Sequence, residues 1–286
     1  MSDTQSKIVE HYATGGLLAR LESALRADGA DPAHPTIEAL APYDQFHGRG
    51  LEATEDLAAL VMVRPTDHLL DVGSGLGGPA RWLSARFGCR ITGIDLTPEF
   101  CAIAEHFTRL TGLDARVRFQ VRDALAMPFP DETFDGAYSM FVSMNIADKA
   151  ALYRELCRVL KSGAWLVLSE IVRGTNGEVL YPMPWAATAA ESFLSTVDET
   201  RNGLRSAGFE VEQVKNDLKR ALEFGARSRA MIARGEKPPY RANKLIHGDA
   251  AAAMLANVAR AYEGGSLIPV EILARKRWQP SKGAQP

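Results

Sequence analysis

The chain has 286 residues, of which 46% are hydrophobic and 24% are charged, as in a folded globular protein with a sizeable core. A formal net charge of −2 argues against a nucleic-acid partner, because proteins that bind nucleic acids present clustered basic surface. The polar start lacks the apolar centre of a signal peptide, and no apolar run is long enough to span a bilayer, so we expect a cytoplasmic protein without membrane insertion.

Three cysteines are spread widely along the chain, at Cys89, Cys101 and Cys157. Their odd number and the lack of C-x-x-C spacing indicate neither a disulfide framework nor a zinc site. We therefore expect small buried thiols in a reducing compartment and no bound metal.

The first 65 residues predict helices on either side of a proline-rich connector. Leucines recur every four residues in the first helix, and a glycine follows it as a stop signal. The predicted segments are a helix over 17–28, an irregular connector over 30–44 and a helix over 51–63.

Strands and helices then alternate up to residue 173, which favours a parallel, doubly wound sheet. Thr97 and Pro98 suit the N-cap and first position of one of these helices. The predicted strands are 68–72, 90–95, 116–121, 134–140 and 164–172, and the predicted helices are 79–87, 98–110 and 147–160.

The pattern changes after residue 173. Two strands bracket a helical block, which predicts an antiparallel sheet edge with a helical cap. The predicted segments are a Gly/Pro-rich stretch over 174–185, helices over 186–194, 198–207, 216–235 and 242–262, and strands over 209–214 and 267–275. The chain is therefore predicted to be α/β, with a doubly wound, seven-stranded, mostly parallel sheet.

The stretch 70-LDVGSGLGG-78 follows the first predicted strand of the sheet and fits the pattern G-x-G-x-x-G. Such a turn lets the backbone approach a ligand closely, and it is typical of dinucleotide sites. Asp95 ends the next strand, where a carboxylate can bind ribose hydroxyls. Both features suit NAD, and both suit another nucleoside ligand, so the glycines alone leave the ligand open.

Five spaced motifs resemble those of the Rossmann-like (class I) S-adenosylmethionine (SAM) methyltransferases. They are LLDVGSGLGG, ITGIDLTPE, VRDALAMPFPDETFDGAYSM, LYRELCRVLKSG and AWLVLSE, in order across about a third of the chain. The resemblance implies a cofactor site made by Asp71, Gly73, Ser74, Gly75, Asp95, Leu96, Asp123, Ala124 and Met140. Three alternatives stay open: Asp71 as a strand-end residue that caps backbone N–H groups, Asp95 as only a charge near the following helix, and Asp123 as the start of an Asx-turn.

Within this superfamily, 43-YDQFHGRGLEAT-54 resembles the sarcosine/dimethylglycine, sterol and quinone small-molecule methyltransferases, as does HYATGGLLARLESAL near the start. The resemblance implies lid helices that close over the cofactor, with Tyr12, Gln45, Phe46 and His47 near cofactor or acceptor. The competing interpretation is a connector whose His47 only hydrogen-bonds backbone. We expect lid helices and clamp over 1–64, a SAM-binding core over 65–173, and a cap with the last strands over 174–286.

The acceptor's nucleophile needs a general base only if it is a phenol, thiol or ring carbon. Related N-methyltransferases carry a histidine where this chain has Asn145, which can orient a substrate but cannot take a proton. His47 and Asn145 are therefore the catalytic candidates, with Glu170, Tyr181 and His247 as further groups to examine. The apolar cap side chains expected to form an acceptor pocket, or else ordinary core, are Met140, Phe141, Met144, Tyr181, Met183, Trp185 and Phe193.

The sequence thus predicts a SAM-dependent methyltransferase that acts on a small-molecule acceptor by in-line displacement. The alternatives are an NAD-linked oxidoreductase with the same glycine loop, and a SAM-binding module without activity.

Overall fold

The computed structural model describes residues 3–12 and 15–278, and this part of the chain contains one sheet of seven strands. The strands are β1 (His68–Val72), β2 (Arg90–Asp95), β3 (Val117–Val121), β4 (Phe134–Met140), β5 (Leu160–Arg173), β6 (Phe209–Asn216) and β7 (Leu267–Lys276). Their order across the sheet is β3-β2-β1-β4-β5-β7-β6.

The first five strands are parallel, and β7 runs antiparallel to both of its neighbours, β5 and β6. The carboxyl ends of β1, β2 and β4 therefore meet at one edge of the sheet. This confirms the predicted seven-stranded, mostly parallel, doubly wound fold with an antiparallel edge.

Helices cover both faces of the sheet and one of its edges. They are α1 (Asp3–Tyr12), α2 (Leu17–Ala27), α3 (Ile37–Asp44), α4 (Leu51–Ala59), α5 (Gly78–Phe87), α6 (Pro98–Leu110), α7 (Lys149–Val159), α8 (Val197–Ser206), α9 (Leu218–Ala233), α10 (Ala242–His247) and α11 (Ala250–Gly264). Among the described residues, no helix is long and apolar enough to cross a membrane.

The alternation of side chains along the strands divides the core between the two faces of the sheet. On β1, Leu70 packs with the buried residues of α7 and α8, while its neighbour Leu69 packs with those of α4 and α5. Both leucines are fully buried, so β1 lies at the centre of the fold and gives the loop after it a rigid support.

The segment 30–44, expected to be irregular, contains helix α3. Thr36 caps this helix, since its Oγ1 accepts a hydrogen bond from the N–H of Ala39 at 3.1 Å. At its other end, Asp44 Oδ2 accepts from Arg81 Nη2 at 2.8 Å, and both side chains are fully buried. The proline-based prediction was wrong because this cap and this ion pair stabilise eight helical residues around Pro42.

The helix expected over 186–194 is also absent from the described structure, where only a 3-10 turn, Ala189–Glu191, occurs. Tertiary hydrogen bonds take its place: Phe193 N donates to the Met144 carbonyl at 2.8 Å, and Trp185 Nε1 donates to Ser192 Oγ at 2.9 Å. The alanine-rich composition was misleading because these bonds fix an irregular conformation.

Smaller differences concern where elements begin and end. The strand expected over 164–172 extends from Leu160 to Arg173, and the helix expected over 51–63 ends at Ala59. Thr97 occupies the predicted N-cap of α6, but its side chain makes no capping hydrogen bond.

Candidate cofactor and acceptor site

A cavity of about 690 Å³ opens at the edge where β1, β2 and β4 end. Gly73 and Gly75 follow β1, Asp95 ends β2 and Met140 ends β4, and all four line the cavity. Open α/β sheets bind their ligands at this edge, so the site lies where the fold favours one.

The glycine loop is held against β2 and leaves its backbone open to the cavity. The N–H groups of Gly73 and Ser74 both donate to the carbonyl of Ile94, at 2.8 and 3.0 Å. Gly73 has φ +74°, and a Cβ added there would lie 2.2 Å from Val142 Cγ2. A Cβ on Gly75 would meet nothing within 4 Å, so a ligand can approach this part of the loop closely.

Asp95 is fixed at the cavity wall by two backbone hydrogen bonds. Its Oδ2 accepts from Gly75 N at 2.9 Å and its Oδ1 accepts from Thr97 N at 2.8 Å. Burial raises the pKa of this carboxyl, and these two N–H donors partly oppose the shift. Each oxygen keeps further lone-pair capacity for a hydroxyl donor, as a ribose would supply. Leu96 lines the cavity beside it.

Several buried polar atoms around the loop have no hydrogen-bond partner among the described residues. They are Asp71 Oδ2, Ser74 Oγ, Gln45 Nε2 and Asn145 Oδ1. Asp71, Ser74 and Gln45 do not line the cavity. Burial raises the pKa of Asp71 to about 8, and the nearby charge of Asp95 adds to the shift. Unpaired buried groups of this kind are costly. Asp71 Oδ2 and Asn145 Oδ1 can accept from a donor, whereas Gln45 Nε2 can only donate.

Asp123 and Ala124 both line the cavity. Asp123 Oδ1 accepts from Leu125 N at 2.8 Å, so the Asx-turn left open above is present. Its Oδ2 accepts from Gln5 Nε2 of α1 at 2.6 Å. Asp123 thus combines a local turn with a contact to the helix that covers the cavity.

Helix α1 covers the cavity, as expected of a lid. Its residues Gln5, Ile8 and Tyr12 line the space, and His11 Nε2 lies 3.0 Å from the Pro184 carbonyl oxygen of the cap. The Tyr12 ring meets Phe46 edge-on, with centroids 5.9 Å apart. Residues 13 and 14, part of the lid motif identified in the sequence, lie outside the described residues.

His47 lines the cavity, but both of its ring nitrogens have contacts in the clamp segment, residues 43–54. Nδ1 lies 3.3 Å from the Gly48 carbonyl oxygen, and Nε2 lies 3.3 Å from both Gln45 Oε1 and Thr54 Oγ1. Burial lowers its pKa to about 4, so the ring is neutral near pH 7. It also stacks on Phe141, with centroids 6.1 Å apart.

Asn145 lines the cavity from a short 3-10 turn after β4. Its Nδ2 donates to the Tyr12 hydroxyl at 3.4 Å, while its Oδ1 has no partner in the described part of the chain. Asn145 and Tyr12 therefore present an amide oxygen and a hydroxyl to the same part of the cavity.

The three further groups singled out in the sequence lie away from the cavity wall. Glu170 is buried behind it and accepts from Ser143 N at 3.3 and 3.2 Å, and burial raises its pKa to about 7. The ring of His247 packs against that of His11, with centroids 5.4 Å apart, and burial lowers the pKa of His247 to about 4. Tyr181 packs against the core of the cap.

The cap contributes a largely apolar wall. Of the seven expected side chains, Met140, Phe141, Met144 and Trp185 line the cavity, while Tyr181, Met183 and Phe193 do not. Arg49 and the large contribution of α9 and α11 to the cavity wall were not predicted from the sequence. The apolar residues of α9 and α11 indicate helices with a buried face, but their spacing does not show which part of the protein that face contacts.

No group of three or more possible metal-ligating side chains occurs within residues 3–12 and 15–278.

Residues 70–168 match a family described as the methyltransferase domain. Methyltransferase GfsG of Streptomyces halstedii is 34% identical over 137 residues, covering 48% of this chain and 49% of that protein. The 2-methyl-6-phytyl-1,4-hydroquinone methyltransferase of Synechocystis is 40% identical over 106 residues, covering 37% of this chain and 32% of that protein. The crystal structure of the cyclase SpnF superposes with a TM-score of 0.67 and 25% identity, covering 92% of this chain and 95% of the other. The chain thus spans between about a quarter and 60% of the length of the curated relatives that it matches.

Proposed function

Since the chain belongs to the class I S-adenosylmethionine-dependent methyltransferases, we propose that it transfers a methyl group from S-adenosylmethionine to a small-molecule acceptor. The attacked atom is nitrogen, oxygen, sulfur or carbon. The division into lid and clamp (1–64), cofactor core (65–173) and cap (174–286) remains part of this proposal, as does the cytoplasmic location.

The observation that carries the proposal is the acidic character of the cofactor edge. Asp95 and Asp123 line the cavity at the ends of β2 and β3, and Asp71 is buried nearby with an unpaired oxygen. Carboxylates attract the sulfonium and ammonium groups of S-adenosylmethionine. Because Asp95 would suit the ribose of NAD equally well, the match of residues 70–168 to the methyltransferase domain is what disfavours the oxidoreductase alternative.

Bound S-adenosylmethionine would supply a methyl group on a sulfonium centre that is already activated for displacement. The backbone of the Gly73–Gly75 loop would hold its amino-acid part, with Asp71, Ser74 and Gln45 behind the wall. Asp95 would accept from the ribose hydroxyls. The adenine would lie among Leu96, Asp123, Ala124 and Met140.

On the acceptor side, Tyr12 and Asn145 would orient the nucleophile, and α1 would exclude water from it. We retain His47 as the candidate proton acceptor, because its neutral imidazole lines the cavity. Nδ1 faces the Gly48 carbonyl oxygen and can only donate to it, so the accepting nitrogen would be Nε2, and the lowered pKa makes it a weak base. An amine acceptor that arrives neutral would not need it.

The test is a calorimetric titration with S-adenosylhomocysteine and, separately, with NADH, using wild type, Asp95→Ala and Asp198→Ala. Asp198 is exposed and lies outside the cavity, so that variant controls for the loss of an acidic side chain. Two hydrogen bonds to a charged group contribute about 1.5–3 kcal/mol each, so Asp95→Ala should weaken adenosylhomocysteine binding at least about 100-fold. Tight NADH binding without adenosylhomocysteine binding would contradict the proposal.

A second candidate is a cofactor-binding protein that does not transfer its methyl group. The structural neighbour SpnF is named a cyclase, and it covers 92% of this chain at 25% identity. Transfer of tritium from methyl-labelled S-adenosylmethionine to a panel of amines, phenols and thiols separates the two candidates. Adenosylhomocysteine binding without transfer to any acceptor would favour the second.

A further inference from the structure

The acceptor side of the cavity is built from apolar side chains of the cap. Helices α9 and α11 contribute Leu222, Phe224, Val258 and Tyr262, and β5 contributes Ile171. Phe224 and Tyr262 are buried, so this wall belongs to the packed interior. Apart from the Tyr262 hydroxyl, these side chains offer no hydrogen-bonding group, so a group held against them must be largely apolar or lose its hydration without compensation.

The one buried arginine among the described cavity residues is already neutralised. Arg49 Nη1 lies 2.6 Å from Asp56 Oδ2. Its Nη2 lies 3.3 Å from Asp217 Oδ2 and 3.6 Å from Glu271 Oε1. The other arginines of the wall, Arg122 and Arg229, are exposed at its rim. The inner cavity therefore offers no spare cation, within residues 3–12 and 15–278, for a phosphate or carboxylate of the acceptor.

The cavity also has an apolar mouth at the surface. Ile232, near the end of α9, is 59% exposed, and Leu255 of α11 is 43% exposed, yet both line the cavity. Together with Pro238, Tyr240 and Asn243, they also line an adjoining outer groove. The cavity and the groove thus share these five residues, and all but Asn243 are apolar or aromatic. An extended chain can pass along them from the cavity to the surface.

From these three features we infer that the acceptor carries an extended, uncharged apolar chain that enters between α9 and α11. Its reacting end lies at Asn145 and Tyr12, and its chain runs past Tyr262 and Tyr240 to Ile232 and Leu255. This inference rests on the proposed function for the identity of the cavity as the acceptor site. It deepens that function by assigning the class of substrate.

The probes are para-butylphenol, para-octylphenol, para-dodecylphenol and dodecyl phosphate, titrated calorimetrically with and without saturating S-adenosylhomocysteine. Each buried methylene contributes about 0.8 kcal/mol, or about fourfold in affinity. Four further methylenes should therefore make para-octylphenol bind on the order of a hundredfold more tightly than para-butylphenol. The gain should level off at dodecyl length, where the chain emerges at the mouth, and the stoichiometry should be one.

Three variants locate the passage. Ile232→Asp and Leu255→Asp each place a charge at the mouth and should weaken para-octylphenol binding on the order of tenfold. Both positions are exposed and lie on different helices, so a loss of affinity in both variants cannot come from local damage to a single helix. Met62→Asp is the matched control, because Met62 is 76% exposed and lies outside the cavity. Adenosylhomocysteine affinity should stay unchanged in all three.

Equal affinity for the butyl and octyl probes would overturn the inference. So would octylphenol binding that neither mouth variant weakens, or tighter binding of dodecyl phosphate than of para-dodecylphenol. If adenosylhomocysteine fails to bind while the chain-length dependence persists, the apolar passage is supported and the proposed function is overturned. If the cofactor product binds and the chain-length dependence is missing, only the substrate assignment is overturned.

Discussion

Gly73 occupies a position where both the backbone conformation and the available space require glycine. Its φ of +74° lies in the left-handed region, and a Cβ would lie 2.2 Å from Val142. Gly112 has a similar φ of +69°, but a Cβ there would meet nothing within 4 Å. The two glycines therefore separate the cost of the conformation from the cost of the clash.

We expect Gly73→Ala to lower the free energy of unfolding by about 2–5 kcal/mol, from the left-handed backbone plus overpacking. Gly112→Ala should lose only the backbone contribution, about 1–2 kcal/mol. Urea unfolding of both variants gives the comparison. Equal losses would mean that Val142 moves aside freely and that the loop is not held as described.

Glu170 is a buried carboxyl whose oxygens accept from the N–H of Ser143, at the turn that carries Asn145. Burial raises its folded-state pKa to about 7, above the ordinary value of 4.5. The folded state thus binds the proton more tightly than the unfolded state does. Stability from this group is complete below about pH 4.5 and is lost as the pH rises through about 7.

We expect the wild-type protein to lose up to about 3 kcal/mol of unfolding free energy between pH 5 and pH 8 relative to Glu170→Gln, which cannot ionise. Urea unfolding of both proteins at several pH values gives the difference, in which the other titrating groups cancel. Glu178→Gln, at an exposed position, is the control. A pH-independent difference for Glu170→Gln would contradict the raised pKa.

Tyr12 joins helix α1 to the aromatic side chains of the site and to Asn145. Its ring packs against Phe46 and Phe100, with centroids 5.9 and 5.8 Å away, and its hydroxyl accepts from Asn145. Aromatic pairs contribute about 0.5–1.5 kcal/mol each, so the ring should matter more than the hydroxyl bond at 3.4 Å.

If α1 is the lid over the cofactor, Tyr12→Ala should speed the release of S-adenosylhomocysteine on the order of tenfold, while Tyr12→Phe should change it only a few-fold. Stopped-flow displacement measures these rates. Glu10→Ala, on the exposed side of the same helix, should leave them unchanged. Equal rates for all four proteins would show that α1 does not limit release.

The elements between residues 68 and 173 could be predicted from the sequence because their signals are local. A buried strand, a glycine turn or a helix that begins with proline can each be recognised from a few consecutive residues, as at His68–Val72 and Pro98–Leu110. The edge positions of Asp95 and Met140 follow from the same pattern. Whether these residues hold the cofactor stays a prediction.

The clamp and the cap could not be predicted in the same way, because distant partners determine their conformation. Helix α3 depends on the ion pair of Asp44 with Arg81, 37 residues away. The segment 186–194 follows hydrogen bonds to the turn after β4. The side chains of α9 and α11 form a cavity wall only because β7 returns to the sheet beyond them. The periodicity of a segment gives no information about such contacts with residues far away in the sequence.

At the scale of the whole molecule, ion pairs that differ in burial join the clamp side to the cap. Buried Arg49 links Asp56 of α4 to Asp217 and Glu271, whereas exposed Arg227 of α9 pairs with Glu52 of α4 at 2.7 Å. Both link α4 to the cap, but they differ in burial. Removal of Arg49 leaves Asp56, Asp217 and Glu271 with Lys215 and Arg220 as their remaining cations.

We expect Arg49→Met to lower the free energy of unfolding by about 1.5–3 kcal/mol, as for lost hydrogen bonds to charged groups, because Lys215 and Arg220 still pair with the three carboxylates. Arg227→Met should cost less than about 1 kcal/mol, because water and salt screen an exposed pair. Urea unfolding measures both. Similar losses for the two variants would show that burial of the Arg49 cluster does not decide its contribution.

The position of β7 has a consequence for the order in which the molecule can be assembled during synthesis. β7 lies between β5 and β6, although it is the last of the described strands to leave the ribosome. Until residues 267–276 emerge, β5 presents an open edge of unpaired backbone groups, and β6 has no strand to join. An open edge of this kind is a template for pairing with another chain. The nascent protein is thus most exposed to aggregation just before its sheet is completed, and a chain that stops short of β7 would keep that edge permanently.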